Sequence, residues 1–126
     1  MSRRQPITAS VVRQLALALP EAVESSHFDR PDFRVRNKIF ATLLPDGGAV
    51  ILKTTPANLD ALVSSDSEMF WDEWRGRWVG VRLDLVSLPV LRDLISDAWE
   101  LAAPKRLAAA RRSPGNGPGR RTGAGG

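Results

Sequence analysis

His27 is the chain's single histidine, with Glu24 three residues before it and Ser25 and Ser26 between them. A serine, a histidine and an acid do nucleophilic chemistry only when the hydroxyl meets the imidazole in space. On a strand, Ser26 and His27 point to opposite faces. Ser25 shares the face of His27, but no glycine-framed elbow marks it as an activated nucleophile. His27 is therefore expected to be structural, anchoring a first strand together with Phe28 and hydrogen-bonded to a backbone carbonyl or to an acid. No catalytic residue is assigned, and an enzyme is not expected. Metal chemistry has little to work with, because one histidine and no cysteine leave only carboxylate sites. Asp93, Asp97 and Glu100 read as the solvated face of a helix. No metal and no cofactor are expected. The GNGPGR run lacks the strand–loop–helix context of a phosphate-cradling loop.

Binding is the better-supported chemistry. Arg34 and Arg36 share one face of a strand, and Lys38 follows a turn at Asn37. On a protruding hairpin such cations could neutralise phosphates, or enter a groove as a β-ribbon. In FWDEWRGRW, Trp71, Trp74 and Trp78 are interleaved with Arg75 and Arg77. Aromatics beside arginine can stack bases and hold phosphate. The same tryptophans could instead fold a loop onto a sheet, with arginine as cation–π partner. Acids interleave in both segments: Asp29 and Asp32 in the first, Asp72 and Glu73 in the second. Arg34, Arg36, Lys38, Arg75 and Arg77 are the candidate nucleic-acid-binding residues.

The elements that must position them can be traced along the chain. Residues 8–19 carry Val12, Leu15, Ala16 and Leu19 on one helical face, with Thr8 as N-cap and Pro20 as terminator. From Glu24 to Thr54 the pattern is an antiparallel meander of three or four strands. It turns at Asn37, which tolerates a left-handed backbone, and at PDGG, 45–48. KIFATLL is apolar on both faces, so its second face is expected to be covered by something. Thr55 and Pro56 open a second helix. MFWDEWRGRW reads as a loop and WVGVRLD as a further strand. Ser87 caps a last helix with an apolar stripe of Leu88, Leu91, Ile95, Ala98, Trp99 and Ala102. The expected fold is α+β. An antiparallel sheet of four to five strands would carry helices mainly on one face, in the order α-β-β-β(-β)-α-β-α.

The 126 residues suggest one folded domain, 1–103, followed by a disordered basic Gly/Pro/Arg-rich tail, 104–126. The charge divides the same way. The net charge is +4, yet six of the 18 basic residues and none of the 14 acids lie beyond residue 103, leaving a net of −2 for 1–103. The high pI thus belongs to the tail, which would attract polyanions without making the domain a nucleic-acid binder. No window has the run of apolar residues needed to span a membrane, and the N-terminus lacks a secretory signal. A cytoplasmic monomer is the expectation.

LALALPEAVES, HFDRPDFRVRNKIFATL, LKT after a Gly-rich turn, WVGVRLD and LISDAWELAAPKRL, in this order, resemble the MmcQ/YjbR family of small bacterial proteins over about residues 10–107. The resemblance implies a compact domain with a frataxin-like or secretion-chaperone-like sheet. It also implies DNA binding through paired hairpin wings, the role often ascribed to members, and brings no catalytic set. The alternative is a small-molecule or protein-binding module using the open sheet face and the Trp-rich segment.

Overall fold

The computed structural model describes residues 7–112. The elements run α1 (Ala9–Leu17), β1 (Ala22–His27), β2 (Arg30–Val35), β3 (Lys38–Leu43), β4 (Ala49–Lys53), α2 (Pro56–Ser65), β5 (Phe70–Trp74), β6 (Trp78–Arg82), α3 (Leu88–Ala102) and α4 (Lys105–Arg112). The six strands form one antiparallel sheet in the order β1-β2-β3-β4-β6-β5. The α+β class holds, with one strand more than expected.

The extra strand is β5, where a loop was expected. Its aromatics suit a half-buried pleated surface, and Asp72 and Glu73 masked that signal. Arg75 and Gly76, both at positive φ, turn the chain into β6, and the Arg77 amide donates to the Trp74 carbonyl at 2.9 Å. Two other hairpins turn the same way. Phe28 and Asp29 join β1 to β2, and Arg36 and Asn37 join β2 to β3, all four at positive φ. Such paired left-handed residues match the twist of the flanking strands.

The helices start as expected. Thr8, Thr55 and Ser87 accept hydrogen bonds from the amides of Val11, Asn58 and Val90. The α3 helix packs across β2, β3 and β4, α1 packs on β1 and α3, and α2 packs on β5. Their shared face of the sheet carries Phe33, Val35, Leu43, Val50, Leu52, Val79 and Val81, all buried. Trp99 is fully buried and ties the end of α1 to α3, its indole N–H donating to the Pro20 carbonyl at 2.9 Å. Leu88 stays partly exposed rather than joining the core.

The domain boundary moves beyond residue 103. KRLAAARR is made of strong helix formers and forms α4, with Ala108 buried in the core. Arg111 lies 5.8 Å from the centre of the Trp99 ring. The rest of the expected tail, residues 113–126, lies outside the described residues.

Candidate binding surface on the open sheet face

The register of the ladders lines up Ser25, Asp32, Thr42, Ile51, Gly80 and Trp71 as one row across the whole sheet. This row lies on the face away from the helices, yet Asp32, Thr42 and Ile51 are buried. Part of the cover is Trp71. A Cβ on Gly80 would lie 2.0 Å from the indole, so the absence of a side chain there lets the ring lie flat on β6. The Trp71 N–H then donates to Glu73 Oε1 at 2.8 Å.

A bulge shapes the neighbouring part of this face. Phe33 pairs with Ala41 and Arg34 with Ile39, so Phe40 is an extra residue on β3. The bulge turns Phe40 into the core and lets Ile39 and Thr42 line the same hollow, which strict alternation would forbid. That hollow, of about 240 Å³, is walled by His27 and Arg30 from the β1–β2 edge and by Glu73, Trp74 and Trp78 from the β5–β6 edge. In a flat sheet of six strands the two edges would stand roughly 24 Å apart. One hollow touches both because long side chains from each edge, His27 and Arg30 on one side and Trp74 and Trp78 on the other, reach in over the open face. Covering of the second face of KIFATLL, anticipated from its two-faced pattern, is thus provided by the sheet's own side chains.

Each predicted cation has a different fate. Arg34 is clamped on fully buried Asp32, Nε to Oδ1 at 2.8 Å and Nη2 to Oδ2 at 3.1 Å. His27 Nδ1 meets the same carboxylate at 2.7 Å, so the acid foreseen as its partner is Asp32. Burial alone would raise the Asp32 pKa, but the hydrogen bonds from Arg34 and His27 outweigh it and hold it below the ordinary value. Arg36 is paired with Glu21 through both Nε and Nη2, and that hydrogen bond lowers the Glu21 pKa. Lys38 is exposed beside that turn. Phe28 does not anchor the strand. It stands at the tip of the β1–β2 hairpin, 94% exposed.

Arg75 and Arg77 are differently placed. With Lys53 they surround Trp74 and Trp78 in a second hollow of about 480 Å³, and no carboxylate lines it. Lys53 Nζ lies 5.0 Å from the centre of the Trp78 ring, and the Arg75 guanidinium 5.2 Å from that of Trp74. Trp74 is 56% exposed. Lys53 was missed in the sequence. Its parity with Ile51 and its pairing with Trp78 could have placed it beside the tryptophans once β5 was known to be a strand.

A third hollow, of about 210 Å³, opens between α2, α3 and the end of β4, with buried Thr54 and with Asp97 among its lining. Burial, reinforced by Glu100 and Asp93, raises the Asp97 pKa, so Asp97 is more than part of a solvated face. Among the described residues, no three His, Asp or Glu side chains converge as metal ligands.

The fold defines the class: an α+β protein whose six-stranded antiparallel sheet carries its helices on one face and leaves the other open. The sequence model of the YjbR family matches residues 17–101, and the chain belongs to that family. Two solved structures share the fold. A Deinococcus radiodurans protein with a DUF419 domain aligns at a TM-score of 0.68 and 21% identity, covering 79% of this chain and 81% of that one. A Pseudomonas syringae protein aligns at 0.61 and 15% identity, covering 76% of this chain and 99% of that one. No curated protein matches the chain. No helix among the described residues is long and apolar enough to cross a membrane.

Proposed function

We propose that this chain is a DNA-binding module that takes single strands on its open sheet face, beside the β5–β6 hairpin. The supporting observation is the gathering of Lys53, Arg75 and Arg77 around two accessible tryptophans in a hollow without a lining acid. Bases would stack on Trp74 and Trp78 while the three cations track the phosphates. No chemistry on the nucleic acid is involved. Arg34 and Arg36 have smaller parts in this reading than Arg75 and Arg77, because intramolecular carboxylates already neutralise them. Lys38 is exposed but pairs with Val35, on the side of the sheet that carries the helices, so its part is small too.

Fluorescence anisotropy with a labelled single strand and a labelled duplex, over a series of salt concentrations, tests the reading. The single strand should bind more tightly. Arg75→Ala/Arg77→Ala should flatten the log–log salt slope by about 1.4, near 0.7 for each phosphate of a single strand that is no longer neutralised. Trp74→Ala should cost about 1–3 kcal/mol of stacking. Arg36→Ala/Lys38→Ala should change affinity far less. If Arg120→Ser/Arg121→Ser abolishes binding and Arg75→Ala/Arg77→Ala does not, the domain is not the reader.

A further inference from the structure

We infer that the hollow between the two sheet edges is a binding site for a small organic anion bearing one flat ring. The inference does not rest on nucleic-acid binding, although the two surfaces share Trp74 and Trp78. Four features of the hollow point to such a ligand.

The first is the fixing of His27. A carboxylate accepts, so Nδ1 carries the proton that Asp32 receives, and Nε2 is held on the side of the ring away from Asp32. A fully buried acid behind a histidine whose ring lines a cavity is the arrangement that presents one imidazole nitrogen to a ligand.

The second feature is Arg30, the cross-strand partner of His27. It lines the same wall and has no acid partner among the described residues, in contrast to Arg34 and Arg36. The third is Thr42. Only 7% of it is exposed, it lines the hollow, and its hydroxyl has no protein partner among the described residues. A buried hydroxyl without a protein partner calls for an explanation, and a ligand supplies one.

The fourth is the remaining surface. Ile39 and Ile51 contribute apolar side chains, and the two tryptophans form the far wall. Glu73 also lies there, one oxygen held by Trp71, so the charge of the hollow runs from cationic at β1–β2 to acidic at β5. The anionic end of a ligand therefore belongs against His27 and Arg30, and its ring toward the tryptophans. The volume of about 240 Å³ fits one ring and a carboxylate. It is below the roughly 300–1,000 Å³ of sites for drug-sized ligands. It exceeds the ~150 Å³ of a cavity that holds benzene.

Benzoate and its neutral isostere benzamide, titrated calorimetrically into the full chain, decide the matter. Because His27 is the only histidine, its ring protons report in one-dimensional NMR without assignment. Benzoate should bind saturably and shift those protons, with benzamide about tenfold weaker or worse. Arg30→Gln, at a half-buried and unpaired position, should weaken benzoate about tenfold with unchanged near-UV circular dichroism. Thr42→Val should weaken it several-fold. Arg75→Ala/Arg77→Ala, outside this hollow, should leave benzoate binding intact even if it abolishes nucleic-acid binding. Equal affinity for benzamide, no saturable benzoate binding, or indifference to Arg30→Gln would each overturn the inference.

Discussion

The β2–β3 and β5–β6 hairpins have similar tips and opposite electrostatics. Both turn on two consecutive residues at positive φ, one of them an arginine, with a cation directly after. In β2–β3, Arg34 is held by Asp32 and Arg36 by Glu21, so only Lys38 keeps its charge uncompensated among the described residues. In β5–β6, Arg75 and Arg77 have no carboxylate partner among the described residues, and Arg75 lies over a tryptophan. A cation count along the sequence therefore misjudges a hairpin. What matters is how many of its cations already have an acid in the folded chain. The first hairpin uses charge to build the sheet face, and the second offers it outward.

Asp32→Ala should break this contrast most severely. It removes the acceptor of both Arg34 and His27 from a fully buried position. Breaking a buried pair costs about 3 kcal/mol, the low end of the usual range, because both partners keep some contact with water. Urea unfolding measures it, and a loss under about 1 kcal/mol would mean that Asp32 does not organise the face. The pH dependence follows from the depressed pKa. Asp32 titrates lower folded than unfolded, so its stabilisation is complete above its ordinary value of 3.8 and is lost as pH falls through the folded value. Asp32→Asn should therefore show a shallower loss of stability below about pH 4 than the parent chain.

Gly80→Ala sharpens the comparison from the other side. The new methyl would sit 2.0 Å from the Trp71 ring, so the indole must lift off β6 and give up its bond to Glu73. Overpacking of this kind costs about 1–3 kcal/mol. The smaller effect expected here, relative to Asp32→Ala, reflects a ring at the surface that can swing away. Tryptophan emission should shift to the red with it. Unchanged emission and stability would show that Trp71 does not lie on the strand in solution.

Much of this architecture was legible in the sequence. Capping residues, the Asn37 and PDGG turns and the apolar stripe of α3 are local signals, and local signals survive folding; α1 ends at Leu17, two residues before the stop that Pro20 implied. The strand β5 was hidden because Asp72 and Glu73 stand between Trp71 and Trp74 and leave no apolar alternation to read. The end of the domain was misplaced because KRLAAARR looks like tail by charge, although its helix propensity and Ala108 belong to the fold. The site was harder to see. Arg30, Thr42 and Trp78 lie far apart in sequence, and it is the strand order and the Phe40 bulge that bring them to one hollow. The pairing of Arg36 with Glu21 spans 15 residues, so hairpin composition alone does not reveal it.

The remaining hairpin, β1–β2, supplies the smallest expected effect. Phe28 occupies a left-handed position, φ 49°, that a bulky side chain adopts reluctantly, and it is 94% exposed. Its visible contact is an edge-on approach to the His27 ring, with centroids 6.0 Å apart. Little packing therefore offsets the backbone cost. Phe28→Gly should raise stability by up to about 1 kcal/mol, since glycine takes this conformation without a Cβ clash. A later urea midpoint with an unchanged slope would confirm it. A loss of stability instead would mean that the phenyl ring packs on His27 more firmly than its exposure indicates. The first hairpin tip would then join β2–β3 in building the sheet face, leaving β5–β6 as the one hairpin directed outward.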